Sequence, residues 1–349
     1  ESFVAAVNAE VRALLYRRGL NRRLRENRSV AYRQYAEFSA ILGDISQELG
    51  SALGFETELE VKLRKYLRRL GIAADTAVFR DRGGRLHAEL AGADLRPLRR
   101  DARWLDRLSA VVGTRLCART SGGNTRIELL EAEPLAAEIG VSRVNKAGET
   151  VSGDQGTFFK TDEGRLYILL SDGMGSGEDA ARASSDTVRI LERFLRSGVA
   201  PETAVRMLND IMLLKNEDTT SSATVDMACV NLFTGDVALY KYGAAPTYVK
   251  SDRSVESVRG RSVPLGLLHP PGDAPDVLKI KLLPGMFAVL VSDGAASGDA
   301  ASDDALASLI ADFDGEAREL SRAIVERSRA GGPAEDDVTA IAIKLIERG

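Results

Sequence analysis

The hydrophobic pattern changes period along the chain. Val4, Val7, Val11, Leu14 and Leu15 fall on one helical face, and Gly19–Asn21 offers a break. Tyr35, Phe38, Leu42, Ile45 and Leu49 then recur at alternating intervals of three and four residues. This heptad-like stripe fits either a coiled-coil seam or a core-facing helix packed within its own chain. A third stripe, Leu59, Leu63, Leu67 and Leu70, stops at Gly71, a normal helix end. Residues 1–70 therefore predict helix, with the intervening arginines on a solvated face.

From Gly71 the alternation becomes two-residue. Thr76–Arg80 and Leu86–Leu90 predict strands around a turn at Asp81–Gly84. A helix near Arg99–Val111 contains the single Trp104, and Thr114–Arg119 and Arg126–Glu131 predict two more strands. To about residue 135 this describes a small, mainly helical α+β regulatory segment without a catalytic cluster.

The remainder, 136–349, predicts a second domain. A strand at Val141–Lys146 leads to Ser152-Gly-Asp154, and Thr157–Lys160 continues extended. Arg165–Leu170 opens into Ser171-Asp-Gly-Met-Gly-Ser-Gly177, followed by helices near Glu178–Arg196 and Pro201–Lys215. Ala223–Leu232 and Val237–Lys241 predict a hairpin around Thr234-Gly-Asp236, and Pro246–Lys250 and Lys279–Leu283 further strands. Met286–Val291, the most apolar run, opens into Ser292-Asp-Gly-Ala-Ala-Ser-Gly298. Helices near Asp304–Ala311 and Gly315–Arg329 precede Ala334-Glu-Asp-Asp337 and a last strand, Val338–Leu345. Hairpins with paired helices predict a layered α+β fold, not alternating βαβ units.

Composition prunes the chemistry. A net charge of −4 over 349 residues, without a basic stripe, argues against a nucleic-acid partner. No apolar run approaches the roughly 18–20 residues of a membrane helix. Glu1 in place of Met reads as a processed or excised chain, so the missing membrane segment says little about the parent protein. Two distant cysteines, Cys117 and Cys229, exclude a disulfide scaffold or a cysteine-rich zinc site and suit a reducing compartment. His87, in a strand pattern, and His269, before Pro-Pro-Gly, make a Ser-His-Asp triad or a histidine-rich metal site a poor fit. Carboxylates remain.

They stand in a repeated phrase: an apolar strand ends in Ser-Asp-Gly, with Ser-Gly two residues later, at Asp172 and again at Asp293. A carboxylate at a strand end between layers is costly unless a cation compensates it. The following glycine lets the backbone turn sharply and lets its carbonyl approach a metal. Asp154, after Ser-Gly at a strand break, and Asp336 or Asp337, before the last strand, have similar settings. Four converging carboxylates could hold two divalent cations, and all-oxygen ligation selects Mg²⁺ or Mn²⁺. Such a site supports hydrolysis at phosphorus by an activated water attacking in line. Asp81 and Asp236, in hairpin turns, fit an ordinary Asp-Gly turn role. The glycines at 173–177 could also cradle a phosphate, although neither nucleotide-loop pattern is completed.

In order, Ser-Gly-Asp154, Ser-Asp172-Gly-Met-Gly, Ser-Asp293-Gly and Glu-Asp336-Asp-Val-Thr339 resemble the PPM (protein phosphatase 2C-like) serine/threonine phosphatases over residues 140–346. Asp172-Gly-Met-Gly-Ser-Gly177, the helix pair after it, Gly243-Ala-Ala-Pro246 and the upstream helical segment resemble the stage II sporulation protein E group of that family. The resemblance implies an α-β-β-α sandwich, two antiparallel sheets flanked by helices, with two Mn²⁺ or Mg²⁺ ions at one edge. It implies that Asp172 bridges both metals, that Gly173 offers its carbonyl to one, that Asp293 and Asp336 bind the other, and that Asp154 holds metal-bound water. Asp336 is preferred to Asp337 on the resemblance alone. Lys146 and Lys160 are the cations nearest Asp154 in sequence, but neither matches the family's phosphate-gripping arginine, which is left unassigned.

The implied substrate is phosphoserine on a small anti-anti-sigma factor, whose dephosphorylation activates a sporulation sigma factor. The implied setting is the cytoplasmic part of a membrane-anchored bacterial protein, dimerising through its upstream helices. These helices would act on the pair at 178–215, which begins within one turn of Gly173. Met207 and Leu208 there are expected either to transmit the switch or to be ordinary core. Two other readings are a catalytically silent PPM-fold signalling scaffold and an unrelated two-metal hydrolase of nucleotides or small phosphoesters. The intact aspartates disfavour the first, and the scarcity of aromatics around the motifs disfavours the second.

Overall fold

The computed structural model describes residues 54–348, apart from 82–83, 122–123, 176, 216–221, 253, 268–275, 297–299, 331 and 333. The two helical stripes expected before residue 50, the tip of the Asp81–Gly84 turn, Ser176, His269 and Ser297-Gly298 lie outside the described residues. By its contacts the chain separates into a smaller unit ending at Glu133 and a larger one from Pro134 onward.

In the smaller unit, β1 (Gly54–Phe55), β2 (Asp75–Arg80), β3 (Leu86–Ala91), β4 (Leu116–Ser121) and β5 (Arg126–Glu131) form an antiparallel sheet of order β1-β2-β3-β5-β4. Helices α1 (Thr57–Arg69) and α2 (Trp104–Val112) cover it. Leu63 and Leu67 of the third stripe, Leu108 and Val112 of α2, and Val78, Leu90 and Ile127 share its core. The single helix expected near Arg99–Val111 is two pieces: a 3-10 turn at Arg96–Arg100, then α2. Asp101 breaks them, extended at ψ 120°, and Gly113 ends α2 at φ 79°. Its described residues are thus as much sheet as helix.

The larger unit has four layers. One sheet runs β13-β10-β9-β8-β7: Asp276–Lys281, Asp236–Tyr242, Val225–Asn231, Arg165–Asp172 and Asp154–Lys160. The other runs β12-β11-β14-β15-β6: Val255–Val258, Thr247–Lys250, Phe287–Val291, Val338–Glu347 and Leu135–Val144. β6 begins earlier than its sequence pattern suggested, because all ten residues pair with β15. Helices α3 (Gly177–Arg196) and α4 (Pro201–Lys215) pack on the first sheet through Val188, Leu191, Leu195 and Leu208. Helices α5 (Ala300–Asp312) and α6 (Ala317–Arg329) pack on the second through Leu306, Ile310, Leu320 and Ile324. Acids in the first turn of α3 and arginines in its last complement the helix dipole, and Glu316 and Glu319 form a capping box before α6.

The layer between the sheets explains where chemistry can sit. Side chains facing it alternate along each strand. Leu166, Ile168 and Leu170 on β8, Val230 and Ala228 on β9, Ala288 and Leu290 on β14, and Ile343 and Ile341 on β15 fill it. One further step toward the same end brings Asp172, Asp226, Ser292 and Thr339, and on β10 and β11 Lys241 and Thr247. The sandwich core is apolar along most of its length and polar at one edge.

Candidate metal centre

Asp154 opens β7 and lies opposite Asp172, which closes β8. The sequence placed Asp154 at a break; it is the first paired residue of a strand. Its side chain is 3% exposed, and neither carboxylate oxygen has a hydrogen-bond partner. Ser292 and Thr339 hydroxyls lie near enough to favour its charge but complete no bond to it, and Thr339 Oγ1 is itself unsatisfied. Burial, aided by the charges of Asp337 and Asp293, pushes Asp154 up to about 7. Burial and repulsion from Asp154, Asp293, Asp336 and Asp337 push Asp172 up to about 8. Burial, then Asp336, raises Asp293. No basic group is among the causes acting on any of the three.

An unpaired buried carboxylate costs several kcal/mol, and these lie together. Orphaned oxygens amid like charges are the donor set a hard divalent cation suits. Among the described residues no three or more carboxylate, imidazole or thiol groups stand together in a geometry that would by itself hold a metal ion. The residues fit such ions in donor type and charge, as an open edge.

The glycine after each aspartate has a different reason from the one its turn suggested. Neither Gly173 nor Gly294 has positive φ. A Cβ on Gly173 would stand 2.0 Å from the Ala180 carbonyl oxygen, and one on Gly294 2.2 Å from that of Asp337. Both permit close backbone approach. Ala180, in the first turn of α3, also lies 3.5 Å from where a Gly153 Cβ would be, so this helix end rests on the backbone beside both Asp154 and Asp172. Met207 and Leu208, farther along the pair, are both buried.

Asp336 and Asp337, alike in sequence, differ in place. Asp337 is buried; its Oδ1 accepts the Lys146 N–H at 2.8 Å and its Oδ2 the Gly153 N–H at 2.6 Å. Asp336 is exposed, and only its Oδ1 is engaged, by the Asp337 N–H at 2.9 Å. Asp337→Ala is therefore expected to destabilise the fold by about 2–4 kcal/mol, from two lost charge-assisted bonds. Asp336→Ala should leave unfolding unchanged and weaken Mn²⁺ binding. Urea titration and calorimetry separate the two, and a reversed pattern would exchange their roles.

Sequence reasoning missed Ala180, the Ser292 and Thr339 hydroxyls, and the buried pair Asp226 and Lys241. A charge at an inward position of an apolar strand was the available signal for the pair. Lys146 enters only through its backbone, and Lys160 lines a separate groove with Arg165, Arg196 and Glu202. Asp81 and Asp236 hold turns, through the Arg85 N–H at 3.0 Å and the Thr234 hydroxyl at 2.6 Å. His87 stacks on Phe79, and neither cysteine is in a disulfide.

A cleft of about 800 Å³ adjoins Asp293, Gly294 and Asp336, and Arg259 and Arg327 line it. Arg259 is half exposed and pairs with Asp303, which also accepts the Tyr248 hydroxyl at 3.3 Å. Arg327 donates to the Ala295 and Ser302 carbonyls at 3.3 and 3.4 Å. No described helix is long and apolar enough to cross a membrane.

A family model for stage II sporulation protein E matches residues 162–346, more than half the chain. Asp172, Gly173, Asp293 and Asp336 fall within it and Asp154 just outside. The stage II sporulation protein E of Priestia megaterium is 27% identical over 244 residues, covering 68% of this chain and 41% of that protein. That of Bacillus subtilis (strain 168) is 26% identical over 230 residues, covering 64% and 27%. The chain thus spans well under half of either relative. Among solved structures, the PP2C phosphatase domain with a regulatory fragment of B. subtilis SpoIIE has a TM-score of 0.66 at 19% identity, covering 94% of this chain and 99% of that one. The RsbU and RsbW domains of a Mycobacterium tuberculosis protein give 0.54 at 22%, covering 61% and 62%. The four-layer unit has the PP2C phosphatase fold, and the chain belongs to the stage II sporulation protein E family.

Proposed function

We propose that this chain is a Mn²⁺- or Mg²⁺-dependent protein serine phosphatase, acting on phosphoserine of a small anti-anti-sigma factor and so activating a sporulation sigma factor. The observation that carries this is Asp154, buried with both oxygens unmatched and facing Asp172 across a strand pair. Asp172, the Gly173 carbonyl, Asp293 and Asp336 are the groups that would hold two such ions. Bound there, such ions would supply an activated water near neutral pH and offset charge on the phosphoryl oxygens. Asp154, without a hydrogen bond of its own, is placed to take up a proton at that edge. Asp337 holds the Lys146–Gly153 backbone that carries Asp154.

The cleft beside Asp293 suits an extended substrate segment, with Arg259 reading its negative charge. Arg259→Glu is expected to lower kcat/KM for a phosphoserine protein at least tenfold, mainly through KM, since Asp303 would then face a like charge. An unchanged KM would remove Arg259 from substrate binding. Residues 1–135 are the proposed regulatory and dimerisation segment, with α3 and α4 as its target, because Ala180 rests on Gly173. By the same resemblance the parent protein is membrane-anchored, with this part in the cytoplasm.

The deciding experiment is phosphate release from a phosphoserine anti-anti-sigma protein with Mn²⁺ and with EDTA. Release should require the metal. No release in Mn²⁺, or equal release in EDTA, would sink the proposal.

A further inference from the structure

Lys241 is fully buried between the two sheets, where its neighbours along β10, Leu239 and Val237, are apolar. Its Nζ donates to Asp226 Oδ2 at 2.7 Å and to the Thr247 hydroxyl at 2.8 Å, and that hydroxyl donates to the same Oδ2 at 3.0 Å. Asp226 and Lys241 are direct cross-strand partners. Side chains at 0% and 2% exposure make this an ion pair wholly removed from water. Such a pair rarely adds stability over apolar residues of the same volume, so stability alone does not account for it.

Its placement does. Asp226 lies opposite Leu170 on β8, one inward step from Asp172. The next inward-facing residue along from Asp226, Thr224, holds the Asp172 backbone at both its N–H and its carbonyl. Its hydroxyl accepts the Asp172 N–H at 2.9 Å, and its own N–H donates to the Asp172 carbonyl at 2.8 Å. With Oδ2 committed to Lys241 and Thr247, Asp226 Oδ1 is left buried without a partner. A cavity of about 20 Å³ is lined by Asp226, Thr224, Asp172, Ser292 and Asp293. That is room for one water, which needs about 10–15 Å³ and two or more polar partners.

We propose that Asp226, fixed by Lys241 and Thr247, is a positioning residue for Asp172 and Asp293, acting through one internal water shared among the three carboxylates. Lys241 and Thr247 hold Asp226 Oδ2 in place, and Asp226 turns Oδ1, a fixed acceptor, toward the ligands from beneath. Groups that orient metal ligands from behind govern affinity by about 10–100-fold. This inference rests on the reading of the aspartates as a divalent-cation site.

The test uses the full chain and Mn²⁺ binding by calorimetry, with thermal unfolding of the metal-free protein alongside. D226L/K241M replaces the pair by apolar residues of similar size; it should unfold no earlier than wild type yet bind Mn²⁺ at least tenfold more weakly. D226N/K241Q keeps an acceptor at Oδ1 in a neutral pair, and should restore the affinity to within about threefold of wild type. Wild-type affinity in D226L/K241M, or no restoration in D226N/K241Q, would overturn the proposal. Should D226L/K241M not fold, Thr247→Val removes only the bridging hydroxyl. A measurable weakening is expected there, and wild-type affinity overturns the idea. Because Mn²⁺ binding is read directly, a wild-type protein that binds Mn²⁺ but releases no phosphate would refute the phosphatase reading and leave this comparison intact.

Discussion

Asp172→Asn is expected to lower Mn²⁺-dependent phosphate release by on the order of 10³-fold, the scale lost when a group stabilising charge in the transition state is removed. The metal-free protein should become more stable, not less. Burial and four neighbouring aspartates push Asp172 up to about 8, well above the ordinary carboxylate range, so the folded carboxyl holds its proton more tightly than the unfolded one. A raised carboxylate destabilises the fold as pH rises from the unfolded value toward the folded one. In the metal-free wild type that loss runs from about pH 4 to about pH 8, and asparagine, the neutral isostere, removes it. Added Mn²⁺ should reverse the order by stabilising only the wild type. Thermal unfolding at pH 7.5, with EDTA and with Mn²⁺, checks both stability signs. Equal phosphate release in the two proteins would remove Asp172 from the mechanism.

Gly173→Ala should have the second largest effect, though it removes no functional group. Its Cβ would enter at 2.0 Å from the Ala180 carbonyl oxygen and 2.8 Å from the Ala180 Cα, both backbone atoms of α3. Neither can yield as a side chain does, so the helix end or the strand end must move. Overpacking of this kind costs about 1–3 kcal/mol, or roughly 2–12 °C at about 2–4 °C per kcal/mol for a domain this size. A displaced Gly173 also moves the carbonyl proposed as a ligand, so Mn²⁺ affinity should fall with stability. Gly175→Ala is the control: it has no atom within 4 Å of a built Cβ, though φ there is 107°. That variant should show backbone strain without loss of Mn²⁺ affinity. Wild-type unfolding in Gly173→Ala would mean that α3 does not press on the site.

Much of the fold was legible because strands here carry their burial in their composition. Phe287–Val291 is buried at every position, sandwiched between the other sheet and two helices, and reads as an unbroken apolar run. The helices α3 and α4 were also placed, the second from Pro201 at its start. The 3-10 piece before α2 was not, because Arg96–Arg100 is compatible with either helix. Short β12, with exposed Glu256 and Ser257, carries no alternation to read.

The sequence by itself narrowed the candidate chemistry to carboxylates. Two histidines and two cysteines leave carboxylates as the abundant ligands, and the repeated strand–Ser-Asp-Gly phrase marks Asp172 and Asp293. Only the tertiary structure decided which groups meet. Asp154 and Asp172 face each other because β7 and β8 pair in one register. Asp336 and Asp337 diverge because adjacent residues flank the start of a strand, one directed to two backbone N–H groups and the other to solvent. Asp226 and Lys241 become a buried pair because their strands are neighbours in the sheet. A carboxylate's worth depends on its distance from other charges and from water, and those distances are set by pairing between strands, which no local pattern encodes.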